Sequence, residues 1–195
     1  MASIVNECRI LALLALLFWT VVSTAFDSAH LKQLKDTKVC KSCDLSGADL
    51  RGLNLAGAQL FRSNLNGASL KSANLSGAKL WGASLRMADL RNANLSKAKL
   101  DSAHFGIANL NGANLSQANL SQGVFVDADL VGADLSNTEL WRTDFTRANL
   151  SKANLSNANL DEALLSGAIL NGANLSQTRI CRTTMPNGKT NSDLC

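Results

Sequence analysis

The residues best suited to chemistry in this chain are its cysteines. Five occur in 195 residues, and two of them form the short motif Cys40-Lys-Ser-Cys43. Two thiols at this spacing can form a disulfide, work as a redox pair or supply half of a metal site. Cys181 and Cys195 lie near the other end of the sequence. Which chemistry is open to them depends on the compartment and on the elements that position the four side chains.

The start of the chain predicts export. Residues 10–22 form a continuous apolar run, followed by Ser23 and Ala25 at the spacing of small residues before a cleavage site. Thirteen residues rise only ~20 Å as a helix, which is short of the ~30 Å hydrocarbon core. The layout is typical of a secretory signal peptide rather than an uncleaved anchor. We therefore expect residues 1–25 to be removed, with no stable membrane insertion afterwards.

Export favours disulfides among the remaining cysteines. If the intervening sequence forms a rod, its ends lie much farther apart than the ~7 Å between Cα atoms that a disulfide tolerates. Of the three pairings that four cysteines allow, only Cys40–Cys43 with Cys181–Cys195 then survives. Free thiols, and redox or metal chemistry at the first pair, stay open as alternatives at this point.

A five-residue repeat dominates the sequence between the cysteines. From Leu45 to Leu175, 27 positions lie five apart; 24 are leucine and the others are Phe105, Phe125 and Phe145. The residue two positions before each of these leucines or phenylalanines is usually alanine, and the residue one position before is often Asn or Asp. Helices repeat near 3.6 residues and strands at 2, so a period of five fits neither. Short extended pieces joined by Gly, Asn and Ser turns would instead wind a coil that stacks its leucines in a shared column.

Pentads such as ADLRG (48–52), ANLSG (73–77) and ANLSQ (113–117) resemble the A(D/N)LXX pattern of the pentapeptide-repeat family. The resemblance covers residues 43–177. It implies an all-β fold, a right-handed quadrilateral parallel β-helix with four pentads per coil. In that fold the central leucine and the small residue two before it point inward.

The flanks resemble those of exported cyanobacterial members, which are found in the periplasm or thylakoid lumen; an extracellular location is also open. AFDSAHLKQLKDTK predicts a short helix with Ser28 as N-cap and Leu31 and Leu34 on one face. Such a helix would cover the open end of the leucine column, and a disulfide-closed tail would cover the other. The expected organisation is therefore 1–25 signal peptide, 26–42 N-terminal cap, 43–180 β-helix and 181–195 C-terminal tail.

Positions 20 apart should stack on one face of a four-pentad coil. The Asn and Ser residues around Leu75, Leu95 and their equivalents predict side-chain hydrogen-bonding ladders along the axis. Phe105, Phe125 and Phe145 predict a buried aromatic column. Outside that column an apolar strip is expected, for self-association or a partner, from His104, Val124, Leu164, Ile107 and Val126.

A further face combines aromatic and cationic residues. Aromatics with cations can bind carbohydrate, nucleic acid or protein, while packing at a coil corner is the structural alternative. The candidate partner surface comprises Phe61, Trp81, Lys79, Lys99, Trp141 and Arg142.

The charge of the repeats and the lack of known catalytic motifs in the sequence narrow the range of functions to consider. Residues 43–177 carry eleven Lys/Arg and eleven Asp/Glu, so the repeats are neutral, which disfavours nucleic-acid binding. Some members of the family mimic DNA and bind gyrase, but mimicry needs a strongly acidic surface. No G-x-S-x-G, HExxH or phosphate-loop motif occurs. We expect no catalytic residue, cofactor or metal, and a rigid exported scaffold with an unknown protein partner or self-association.

Overall fold

The computed structural model describes residues 26–191 and residue 195. The predicted signal peptide, residues 1–25, lies outside this part of the chain. Within the described residues, no helix is long and apolar enough to cross a membrane.

The regular elements lie at the two ends. Helix α1 spans Ser28–Thr37, and strands β1 (Thr183–Thr184) and β2 (Thr190–Asn191) form an antiparallel pair. Between them the chain pairs through isolated parallel bridges rather than through long strands. The reason is the repeat, because a turn follows every inward leucine and leaves one residue per pentad to form a bridge.

Each bridge joins residues 20 apart, as expected from the resemblance. Asn54 bridges to Asn74, and Asn74 bridges in turn to Asn94. The amide of Leu55 donates to the Asn74 carbonyl at 2.7 Å, and the Asn74 amide donates to the Leu53 carbonyl at 2.9 Å. One coil therefore contains four pentads, and every coil satisfies backbone groups of the next.

The corners are β-turns whose third residue is left-handed. The Ala48 amide donates to the Leu45 carbonyl at 3.1 Å, and Gly47 between them has a φ of +68°. Glycine adopts this conformation freely, but many corners use other residues. Ile107, with a φ of +61°, is the most costly example because it is β-branched. Its side chain is 55% exposed, so little packing offsets the strain.

Leucine and alanine fill the interior, as the pattern predicts. Leu45 and Leu160 are both fully buried. The phenylalanines also stack inside, with ring centroids 4.5 Å apart for Phe105–Phe125 and 5.0 Å for Phe125–Phe145. Gly123 replaces alanine beside them, because a Cβ there would lie 3.2 Å from the Phe125 ring and 2.8 Å from the Leu120 carbonyl. Beside the Phe125 ring, in the middle of the stack, the space therefore suits a glycine.

The N-terminal helix packs on the first coil. Leu34 is fully buried and Leu31 packs against the core, as predicted. The expected N-cap, Ser28, is wrong by one residue: the Asp27 carboxylate accepts from the Ala29 amide at 2.8 Å. A carboxylate at this position also interacts favourably with the helix dipole, which a serine hydroxyl cannot match.

Disulfides join the predicted cysteine pairs at both ends. Cys40 bonds to buried Cys43 below α1, and Cys181 bonds to exposed Cys195. The tail turns at residues 185–188, where the Gly188 amide donates to the Met185 carbonyl at 2.8 Å. Both thiol pairs are therefore occupied by structural cross-links rather than held as free thiols.

Truncation of an inward leucine should reduce stability most at the centre of the leucine column. Leu110→Ala, at a fully buried position, should lower the free energy of unfolding by ~2–5 kcal/mol because it leaves a cavity. Leu175→Ala is the matched control in the last coil, where the side chain is 37% exposed, and should cost only about 1–2 kcal/mol. Denaturant unfolding of both variants measures the difference. Equal losses would contradict a dry, packed interior.

Corner strain predicts a stabilising substitution. Ile107→Gly should raise the free energy of unfolding by about 0.5–1 kcal/mol, because relief of the left-handed strain exceeds the entropy cost of glycine. The reverse change, Gly132→Ile, places a β-branched residue at a φ of +66° with open space around its Cβ. It should destabilise by a similar amount. Thermal melting compares the pair, and a loss of stability in Ile107→Gly would refute the strain at this corner.

Candidate protein-interaction surface

The aromatic and cationic side chains predicted as a partner surface lie on one side of the coil, here called the aromatic face. Its pentads have inward residues Leu60, Leu80, Leu100, Leu120, Leu140 and Leu160. The residue after each inward leucine begins the corner turn and carries its side chain outside the core. Phe61, Trp81 and Trp141 occupy this turn position, and all three are half-buried. The repeat itself therefore sets the spacing of the candidate residues.

Phe61 and Trp81 form a stack along the coil axis. Their ring centroids are 4.9 Å apart, and the ring planes differ by 5°. This separation matches the ~4.8 Å spacing between adjacent parallel strands. The ring faces therefore point along the axis toward neighbouring coils, and the ring edges point outward.

Cations lie over the faces of both rings. The Lys41 Nζ is 5.2 Å from the centroid of Phe61, and the Arg62 guanidinium carbon is 5.0 Å from that of Trp81. Such contacts stabilise by ~0.5–1 kcal/mol at exposed sites. Lys41 was missed in the sequence prediction because it precedes the repeats, yet it lies 20 residues before Phe61 and thus in the same column.

Two lysines flank the stack. Lys79 and Lys99 are exposed and bridge to one another in adjacent coils. Like charges placed opposite each other on neighbouring strands repel. Within residues 26–191, none of the cations Lys41, Arg62, Lys79 and Lys99 forms an ion pair.

Trp141 and Arg142 belong to a separate part of the face. Trp141 lies three coils beyond Trp81, about 14 Å along the axis. The Arg142 guanidinium carbon is 4.4 Å from the Trp141 centroid, and its Nε donates to Glu162 at 2.6 Å. That hydrogen bond lowers the pKa of Glu162 and keeps it ionised. Arg182 binds the same carboxylate at 2.8 Å, and Arg179 pairs with Asp161, so each arginine near Trp141 has a carboxylate partner.

On the other faces, polar side chains form hydrogen bonds and ion pairs with groups of the protein itself. Asn74 Nδ2 donates to Asn54 Oδ1 at 3.4 Å, one rung of the predicted asparagine ladder. The serines differ from the prediction, since the Ser76 amide donates to Asn74 Oδ1 at 3.1 Å within its own pentad. A neighbouring face pairs Arg51 with Asp49 at 2.7 Å, and the hydrogen bonds from Arg51 lower the pKa of Asp49 to about 2.

The predicted apolar strip is interrupted. Val124 bridges to Asp144, which separates it from Leu164 in the following coil. Leu164 is 43% exposed, and Ile107 instead adjoins Met87, which is 67% exposed. These side chains form two small patches rather than a continuous surface.

No metal-binding group emerges from the described residues, because nowhere in them do three or more His, Cys, Asp or Glu side chains lie together. A shallow groove lies beside Asn66, Arg86 and Met87. Asn66 Oδ1 accepts from Ser84 Oγ at 2.7 Å and from the Arg86 amide at 2.9 Å, so it serves the fold.

The sequence belongs to a known repeat family. The family described as "Pentapeptide repeats", with eight copies, matches residues 40–77, 68–106, 108–147, 128–167 and 148–185. These matches cover well over half of the chain, and the protein is a member of the pentapeptide-repeat family. None of the curated proteins matches it.

Solved structures of the same family resemble it. HetL of Nostoc sp. strain PCC 7120, involved in regulation of heterocyst differentiation, is 28% identical; the match covers 83% of this chain and 97% of HetL, with a TM-score of 0.28. A pentapeptide repeat protein of the Arabidopsis thaliana thylakoid lumen is 35% identical over 55% of this chain and 68% of its own, with a TM-score of 0.26. QnrB1, a plasmid-mediated fluoroquinolone resistance protein, is 18% identical. The match covers 75% of this chain and 85% of QnrB1, with a TM-score of 0.46.

Proposed function

We propose that this protein is a non-enzymatic, exported scaffold that binds another protein through the aromatic face. Its repeats would form a right-handed, four-sided β-helix, as the family resemblance implies. Residues 26–42 would cap one end and residues 181–195 would close the other.

The observation that carries the proposal is the stack of Phe61 on Trp81 among cations without ion pairs. Three arginines of the other faces form ion pairs instead, Arg51 with Asp49 and Arg91 with Asp89, both at 2.7 Å, and Arg147 with Asp127 at 2.6 Å. Exposed aromatic and arginine side chains are enriched where proteins bind proteins. A rigid coil supports such a surface well because its backbone loses little conformational freedom on binding.

Two features support export. Disulfides persist in oxidising compartments, and two cross-links close the ends of the coil. The apolar run at residues 10–22, with Ser23 and Ala25 after it, has the layout of a cleavable signal peptide. We infer residence in the periplasm or thylakoid lumen, or outside the cell.

A gyrase-binding DNA mimic is disfavoured as the alternative. Mimicry of a duplex needs an acidic surface, whereas the repeats have equal numbers of acidic and basic residues. The aromatic face is locally basic, which is opposite in sign to DNA.

Signal processing gives a direct test of export. Expressed in a secreting bacterium, the chain should reach the periplasm without residues 1–25, as mass spectrometry of the purified product would establish. Ala25→Arg should block cleavage, because the site requires a small residue. A full-length cytoplasmic product from the unaltered sequence would contradict the export proposal.

Pull-down from the exported fraction of the source cells tests the interaction surface. Trp81→Ala should reduce partner recovery about tenfold, since buried interface tryptophans commonly contribute more than ~1.4 kcal/mol. Trp141→Ala is the matched control, because it removes an equivalent side chain from the part of the face whose arginines form ion pairs. Unchanged recovery with Trp81→Ala, at unchanged melting temperature, would discard the aromatic face as the contact.

A further inference from the structure

We propose that the partner contacts the aromatic face through an acidic polypeptide segment. The contact region, here called the basic patch, consists of Lys41, Phe61, Arg62, Lys79, Trp81 and Lys99. This inference rests on the proposed scaffold function and specifies the chemistry of its partner.

The basic patch carries positive charge that no ion pair within residues 26–191 neutralises. The four cations of the basic patch are all exposed and, within residues 26–191, form no ion pairs. Further along the same face the arginines are engaged, with Arg142 and Arg182 on Glu162 and Arg179 on Asp161. The uncompensated positive charge is thus concentrated in one half of the face, and only an anionic partner complements it.

The orientation of the two aromatic rings also favours an anionic partner. An aromatic ring is negative on its faces and positive at its edge. The faces of Phe61 and Trp81 are directed along the axis, toward each other and toward Lys41 and Arg62. The outward edges therefore add to the positive potential of the surrounding cations. Carboxylates can approach these edges, whereas a base or sugar would need a free ring face on which to stack.

The dimensions favour a short segment. From Lys41 to the coil of Lys99 the basic patch spans three coil spacings, about 14 Å. About four extended residues cover this length. Asp101 follows Trp81 in the same column and lies in the coil of Lys99, where it ends the patch; the next charged residue in that column, Asp161, is also acidic. A long, uniformly charged polymer would meet repulsion beyond the patch, whereas a few Asp or Glu residues would fit within it.

Fluorescence anisotropy with the purified full chain tests the proposal. The probe is a labelled Glu-rich peptide of about eight residues, long enough to cover the patch. The unaltered protein should bind it, and raising NaCl from about 50 to about 200 mM should weaken binding through screening. The double variant Lys79→Glu/Lys99→Glu should bind about tenfold more weakly, because two attractive charges become repulsive.

A matched control distinguishes binding at the basic patch from a general effect of the protein's net charge. Lys71→Glu/Lys152→Glu makes the same change in net charge at two exposed lysines on another face. This variant should bind the peptide as the unaltered protein does. Equal weakening in both double variants, or no peptide binding at all, would overturn the proposal. So would tighter binding to single-stranded oligo-dT of equal net charge, lost in Trp81→Ala, because that outcome assigns the patch to nucleic acid.

The two hypotheses fail in different ways. If Trp81→Ala abolishes capture of a protein partner but the acidic peptide does not bind, the aromatic face is the contact surface but the partner segment is not acidic. If the peptide binds through Lys79 and Lys99 but Trp81→Ala leaves partner capture unchanged, the patch binds anions and the scaffold role lies elsewhere.

Discussion

Everything in this structure depends on one constraint: a leucine side chain must turn inward at every fifth residue. Four inward turns close a coil of 20 residues, and the next coil can then stack in register. Stacking buries the leucines and pairs the backbone of each coil with that of its neighbours, so apolar burial and hydrogen bonding reinforce each other. An insertion of a single residue would shift every later leucine off the column, which explains a repeat without breaks.

The same constraint sets the costs of the fold. Every pentad needs a left-handed residue at its corner, and chains of L-amino acids adopt that conformation reluctantly. Glycine meets the requirement at Gly47 and Gly132, while Ile107 shows that the stacked interior can tolerate strain at single corners. The ends present a second cost, since coils without neighbours leave strand edges unpaired. Helix α1 and the disulfide-closed tail occupy these two positions.

Much of this arrangement is readable from the sequence because the repeat is uninterrupted. The leucine column, the stacked phenylalanines and the two cysteine pairs follow from spacing alone or with the family resemblance. Two of the features that escaped, the helix cap and the ring orientation, depend on atoms rather than on spacing. Asp27 rather than Ser28 caps the helix, and its carboxylate adds a favourable interaction with the helix dipole. The separation of Trp141 from the basic patch follows from the engagement of Arg142 by Glu162, a pairing 20 residues apart that the coil period would have indicated. The outward direction of the Phe61 and Trp81 edges could not be read from the sequence.

Amide hydrogen exchange, resolved by residue with NMR, tests the coil most directly. Amides of the inward leucines, such as Leu95 and Leu115, donate to the next coil at 2.6–2.7 Å and should exchange only through global unfolding. Amides of the first turn residue, such as Ser96 and Ser116, donate only to a side-chain oxygen two residues earlier and should exchange far faster. The account predicts this alternation with a period of five from one end of the repeats to the other. Protection with a helical period, or uniformly fast exchange across the leucines, would contradict it.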